Sequence, residues 1–139
     1  MLMQMNLPPT AFDIKWSMLG TAVRVHPTFF LFSLFMAYRE KIPFTIVLAV
    51  MATHFLSILV HEFGHALSHR YYGDRNPSVL IYFLGGLCFS GSKELQRQQK
   101  INMLLWGPGA GFILGALAYG IGAVLFGPGF ILPGPVASV

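Results

Sequence analysis

The sequence predicts an α-helical integral membrane protein with about three transmembrane helices and a short β-hairpin or re-entrant segment between the second and the third. Two observations carry that expectation. Only 10% of the 139 residues are charged and 55% are hydrophobic, whereas soluble domains carry about 25% charged residues. The apolar residues also fall into long uncharged runs. Between 42 and 60 the only polar side chains are Thr45, Thr53, His54 and Ser57, and from 101 to 139 no residue is charged. The length suits one membrane-embedded domain, 1–139, with three or four spans.

Residues 1–24 read as an amino-terminal tail followed by interfacial strands. Residues 12–25 alternate weakly and contain Gly20, which predicts one or two short strands or an interfacial segment. No basic residue precedes an apolar run in 1–12, and Pro8-Pro9 interrupts it, so a cleavable signal peptide is not expected. The segment 25–38 is the first apolar helix. It is short against the roughly 20 residues that cross a bilayer, but Arg24 and Arg39 can snorkel, so a thin or tilted span is expected. The second helix is expected over 42–72. Pro43 suits its first turn, where a missing N–H costs nothing, and Gly73 suits its end. Residues 77–91 are rich in strand formers around Gly85-Gly86 and read as the hairpin or re-entrant segment. The third helix is expected over 101–126. Gly107, Gly111 and Gly115 recur every four residues, which predicts a smooth stripe for close helix packing, and Pro108 predicts a kink. Pro128, Pro133 and Pro135 argue against helix beyond 127.

The net charge is +4, yet the basic residues sit at the ends of the apolar segments, where membrane anchors belong, and predict no nucleic-acid partner. Lys15 and Arg24 precede the first segment, Arg70, Arg75, Lys93, Arg97 and Lys100 separate the second from the third, and only Arg39 and Lys41 lie between the first and second. If the first segment spans, the amino terminus and the 73–100 region are cytoplasmic in a multi-pass protein. Cys88 is the single cysteine, so no intrachain disulfide can form.

Chemistry concentrates in His61-Glu62-Phe63-Gly64-His65, at the end of the second apolar run. A charge at membrane depth costs on the order of 2.5–3.5 kcal/mol and is a functional candidate by default. Residues four apart share a helix face, so His61 and His65 can offer two imidazoles to one Zn2+. Glu62, beside them, is placed to act as general base toward a water whose pKa the metal lowers toward about 7. Two histidines and a glutamate in this order on a helix form the metalloprotease pattern. His69 lies one turn beyond His65, about 6 Å along the axis, and reads better as an interfacial histidine than as a ligand. His54 lies about 10 Å before His61 and is expected to bond within the bundle. His26 is given no ligand role.

With this motif on an apolar helix, the chain resembles the site-2 protease family of intramembrane zinc metalloproteases over about residues 20–117. VRVHPTFFLFSLF (23–35) resembles the family's first core segment, SILVHEFGHALSHRYYG (57–73) its catalytic helix, YFLGGLCF (82–89) its Gly-Gly hairpin and WGPGAGFILGAL (106–117) its Gly-Pro-led third segment. The resemblance implies cleavage of a transmembrane helix of a partner protein, with His61 and His65 as zinc ligands and Glu62 as catalytic base. It also implies that Gly85 and Gly86 border the site, where an edge strand could hold unwound substrate. Two departures stand out. The family usually has asparagine where this chain has Gly111. Its third zinc ligand is an aspartate followed by glycine on a further helix, whereas the last acidic residue here is Glu94. The chain is thus expected to be short of the fourth core helix. Asp74 and Glu94, the carboxylates after the motif, read as surface charges. Two other readings stay open: an impaired or inactive homologue that binds transmembrane partners without cleaving them, and a haem or metal-transfer protein using His54, His61 and His69.

Overall fold

The computed structural model describes residues 8–38, 41–91 and 94–127. The elements run β1 (Ile14–Met18), β2 (Thr21–Val25), α1 (Thr28–Ala37), α2 (Phe44–Tyr71), β3 (Ser78–Tyr82), β4 (Gly85–Phe89) and α3 (Arg97–Phe126). The strands form one sheet in the order β1-β2-β3-β4. The outer pairs are antiparallel hairpins, and β2 pairs with β3 in parallel across the α1–α2 crossover. Residues 12–25, expected as one or two short strands or an interfacial segment, form two strands. Leu19 and Gly20 turn them with φ of 51° and 70°, the left-handed pair that a tight two-residue hairpin requires. The 77–91 hairpin forms as expected, but as half of a sheet rather than an isolated insertion.

Alternation along the strands sets which face packs on the helices. Val23 and Val25 of β2 and Val79 and Ile81 of β3 point inward, and join Phe29 of α1 and Phe63 and Ala66 of α2 in one core cluster. Their β-branched side chains fit the pleated inner face. Trp16, Phe55, Ile58, Leu59 and Cys88 pack around this cluster.

The first expected span is corrected. Of the expected 25–38, Val25 belongs to β2, His26 precedes Pro27, which biases it away from helix, and Tyr38 caps the helix end. What remains is α1, ten residues, about 15 Å long and half a hydrocarbon core. Phe29 packs on Phe55 with ring centroids 5.7 Å apart, so α1 begins level with the middle of α2. The sheet, not a first helix, covers the second half of α2. Ser33 of α1 and His54 Nδ1 of α2 lie 3.0 Å apart, and the His54 ring lies 5.3 Å from that of Phe29. His54 therefore ties α1 to α2, as expected of it.

The other two helices are long and apolar enough to cross a membrane, by length and composition. Their most apolar windows have mean hydropathy of 2.0 and 1.9, and only 6% of each window is buried inside the protein. At 28 and 30 residues they measure about 42 and 45 Å. α3 starts four residues before the expected 101, because Gln96 and Gln99 form a reciprocal capping box that satisfies amides of its first turn. It continues through Pro108. The expected glycine stripe is also corrected. Gly107 packs against α2, but a Cβ on Gly111 or Gly115 would meet no atom within 4 Å. The close approach runs instead through one glycine from each helix, Gly64 facing the Trp106 carbonyl and Gly107 facing the His65 ring.

Candidate metal centre

His61, Glu62 and His65 lie in the second half of α2, where α3 and β4 both approach. Gly107 of α3 has no side chain, and a Cβ there would enter the His65 ring. That space lets the imidazole lie flat against α3, with Nδ1 2.8 Å from the Met103 carbonyl oxygen. A carbonyl only accepts, so Nδ1 carries the proton and donates. His65 Nε2 is then left with its lone pair, 3.2 Å from His61 Nε2. Zinc ligands commonly have this orientation, with the second ring nitrogen donating to a backbone carbonyl.

Glu62 points the other way round the helix, toward the sheet. It is 6% exposed, and its carboxyl fills the space that a Cβ on Gly86 would occupy. The Gly-Gly pair of β4 thus has a distinct use at each position. Gly85 takes φ of 127°, a region that side chains disfavour, and Gly86 gives room to a carboxylate. β4 is the edge of the sheet, so its outer backbone has no strand partner within it.

The donor set fits zinc along one edge. Two nitrogens each about 2.0–2.1 Å from a tetrahedral ion lie about 3.3 Å apart, close to the 3.2 Å between the two Nε2 atoms. A catalytic zinc takes three protein ligands. Among the described residues no group of three histidine, cysteine or carboxylate side chains converges as a metal site would need. Among the described residues the structure therefore presents two convergent imidazole nitrogens and, next in sequence to the first, a buried carboxylate.

The remaining candidates fall outside this centre. Glu94 is a surface charge, as expected, with its Oε1 3.3 Å from Lys100 Nζ. Asp74 is not. It is 2% exposed and accepts hydrogen bonds from the Ser90 hydroxyl and the Gly91 amide, both at 2.8 Å, and from the Asn76 amide at 3.3 Å. His69 is also buried, 6% exposed, with Nδ1 3.6 Å from the Asp74 carboxylate. The expectation of a surface aspartate and an interfacial histidine is overturned because the end of β4 folds back over the end of α2 and encloses both. Together they anchor the hairpin that carries Gly85 and Gly86. His26 Nδ1 lies 2.8 Å from the Thr28 hydroxyl, a local structural contact.

Cys88 lies on the inner face of β4, two residues from Gly86. Burial, followed by the nearby Glu62 and Asp74 carboxylates, pushes its thiol up to about 12. The thiolate is the reactive form. N-ethylmaleimide at pH 8 is therefore expected to label the native protein at least about a hundredfold more slowly than the denatured chain. Similar labelling rates would contradict this placement.

Sequence reasoning missed Met103 and Gly107, which orient His65. Their only signal is the spacing of a glycine within α3, and that spacing does not say which glycine meets α2. No protein-family profile, no characterised protein and no solved structure matches this chain.

Proposed function

We propose that this chain is a membrane-embedded, zinc-dependent endopeptidase of the site-2 protease type, which cleaves transmembrane segments of partner proteins. The observation that carries the reading is the pair of Nε2 atoms 3.2 Å apart, one of them oriented by Met103, with Glu62, the residue after His61, buried against Gly86. In this reading the protein is an integral, multi-pass membrane protein with α2 and α3 as its full spans and its amino terminus and 73–100 region cytoplasmic. Chain segment β2 and helix α1 together take the place of a first span. His61 and His65 would hold the metal. When bound, zinc supplies Lewis acidity that lowers the pKa of water at its open position to about 7.

Glu62 is the proton carrier. Its carboxylate accepts the proton of the attacking water and later delivers it to the leaving amine. Gly86 leaves that carboxylate its room. The open edge of β4, at Gly85 and Gly86, receives an unwound segment of substrate as an added strand. A helical peptide bond is shielded, and strand pairing satisfies its backbone once it is drawn out.

The test is cleavage of a reporter transmembrane segment by the protein in lipid nanodiscs, before and after chelation. Cleavage is expected to stop on chelation and to return with added zinc. Cleavage that persists without metal sinks the proposal. Capture of reporter without cleavage, in protein loaded with zinc, would favour the non-cleaving homologue.

A further inference from the structure

We infer that the end of α2 and the turn between β1 and β2 form a binding site for the phosphodiester headgroup of an anionic phospholipid. This rests on the membrane-spanning part of the proposed function, not on its chemistry. Arg70, in the last turn of α2, reaches across to donate from Nη1 to the Gly20 carbonyl at 2.9 Å. Gly20 takes a φ of 70°, which favours glycine, and the guanidinium lies in the space that a Cβ there would occupy. A neutral carbonyl leaves the cationic charge uncompensated. Among the described residues the ion pairs involve Arg24, His69 and Lys100, and neither Arg70 nor Arg75 takes part in them. Both arginines are exposed.

The flanking groups are not those of an ordinary solvated surface. Tyr71 is 80% exposed and Leu19, at the tip of the adjoining turn, is 64% exposed. A guanidinium on a helix end and turn that also expose an aromatic and an aliphatic side chain suits the bilayer interface, where phosphates meet the first methylenes. The length of α2 places it there. Its 28 residues rise about 42 Å, which matches the roughly 40–45 Å of a bilayer counted with its headgroups. Arginine suits a phosphate because its planar fork donates two parallel hydrogen bonds. These apolar neighbours favour a lipid over a soluble acidic partner.

The experiment uses the full chain in nanodiscs of phosphatidylcholine with or without phosphatidylglycerol. Bilayer insertion is checked first by resistance to carbonate extraction, so failure of the membrane reading shows separately from failure of this site. Native mass spectrometry then counts retained lipids. Phosphatidylglycerol should be retained preferentially, with about fivefold loss of preference in Arg70→Gln. Lys41→Gln, at the opposite end of α2, should change little. Equal retention of both lipids by the inserted wild type, or an equal effect of Lys41→Gln, overturns the proposal. So does full loss of the preference on adding inorganic phosphate at millimolar concentration, which would mark a free-anion site.

Discussion

Glu62→Gln is expected to lower reporter cleavage by about 10²–10⁴-fold, the usual contribution of a positioned general base, with bound zinc unchanged. Glutamine has nearly the shape of glutamate and fits the same space against Gly86, but its amide cannot take a proton from water. His61 and His65 keep their spacing, because His65 is held by Met103 on α3 and not by Glu62. The measurement is single-turnover cleavage in nanodiscs, paired with metal content of the same preparation. A variant that cleaves like the wild type removes Glu62 from the chemistry. One that loses both zinc and cleavage would mean that the carboxylate serves the metal site rather than the proton.

Asp74→Ala is expected to cost about 3–5 kcal/mol of stability, because it removes the acceptor of three hydrogen bonds and leaves the buried Ser90, Gly91 and Asn76 donors without it. The buried carboxylate joins the end of α2 to the end of β4 through Ser90 and Gly91, and faces His69. Each hydrogen bond to a charged group is worth about 1.5–3 kcal/mol. Asp74→Asn should cost less, since its amide oxygen still accepts from Ser90 or Gly91. Denaturant unfolding followed by the tryptophan fluorescence of Trp16 and Trp106 would measure both variants. A cost under about 1 kcal/mol for alanine would show that the hairpin is held by its apolar inner face alone. Because this hairpin carries Gly86, the alanine variant should also cleave poorly, in contrast to Glu62→Gln, which should remain fully stable.

Elements with a strong local signal were legible in the chain itself. The uncharged run ending in His61-Glu62-Phe63-Gly64-His65 reads as one long helix, and Pro43 and Gly73 mark its ends within a residue or two of the observed Phe44–Tyr71. The run 77–91 reads as a hairpin and forms one, although its turn falls at Phe83-Leu84 and both Gly85 and Gly86 pair within β4. The first span misleads at its start, because Val25 is as apolar as any membrane residue yet closes β2. Hydropathy cannot separate a buried strand from the start of a helix, and only pairing with β3 does so. Asp74 misleads in the opposite sense. An aspartate after a helix usually faces water, and its enclosure depends on Ser90 and Gly91 returning from 16 and 17 residues away.

Taken alone, the sequence determines the spacing of the two imidazoles. Two histidines one helical turn apart must share a face, and a glutamate next to the first must be turned about 100° round the helix from it, since 3.6 residues make a turn. It also determines that α2 and α3 are apolar over spanning lengths, because composition and length suffice for that. Only the tertiary structure decides which way the imidazoles and the carboxylate are turned. The His65 ring is turned by a carbonyl 38 residues away in the space left at Gly107, and Glu62 is enclosed by Gly86 from the sheet. Side-chain orientation at the centre is set by contacts between segments far apart in the chain, and no local pattern encodes which segments will meet.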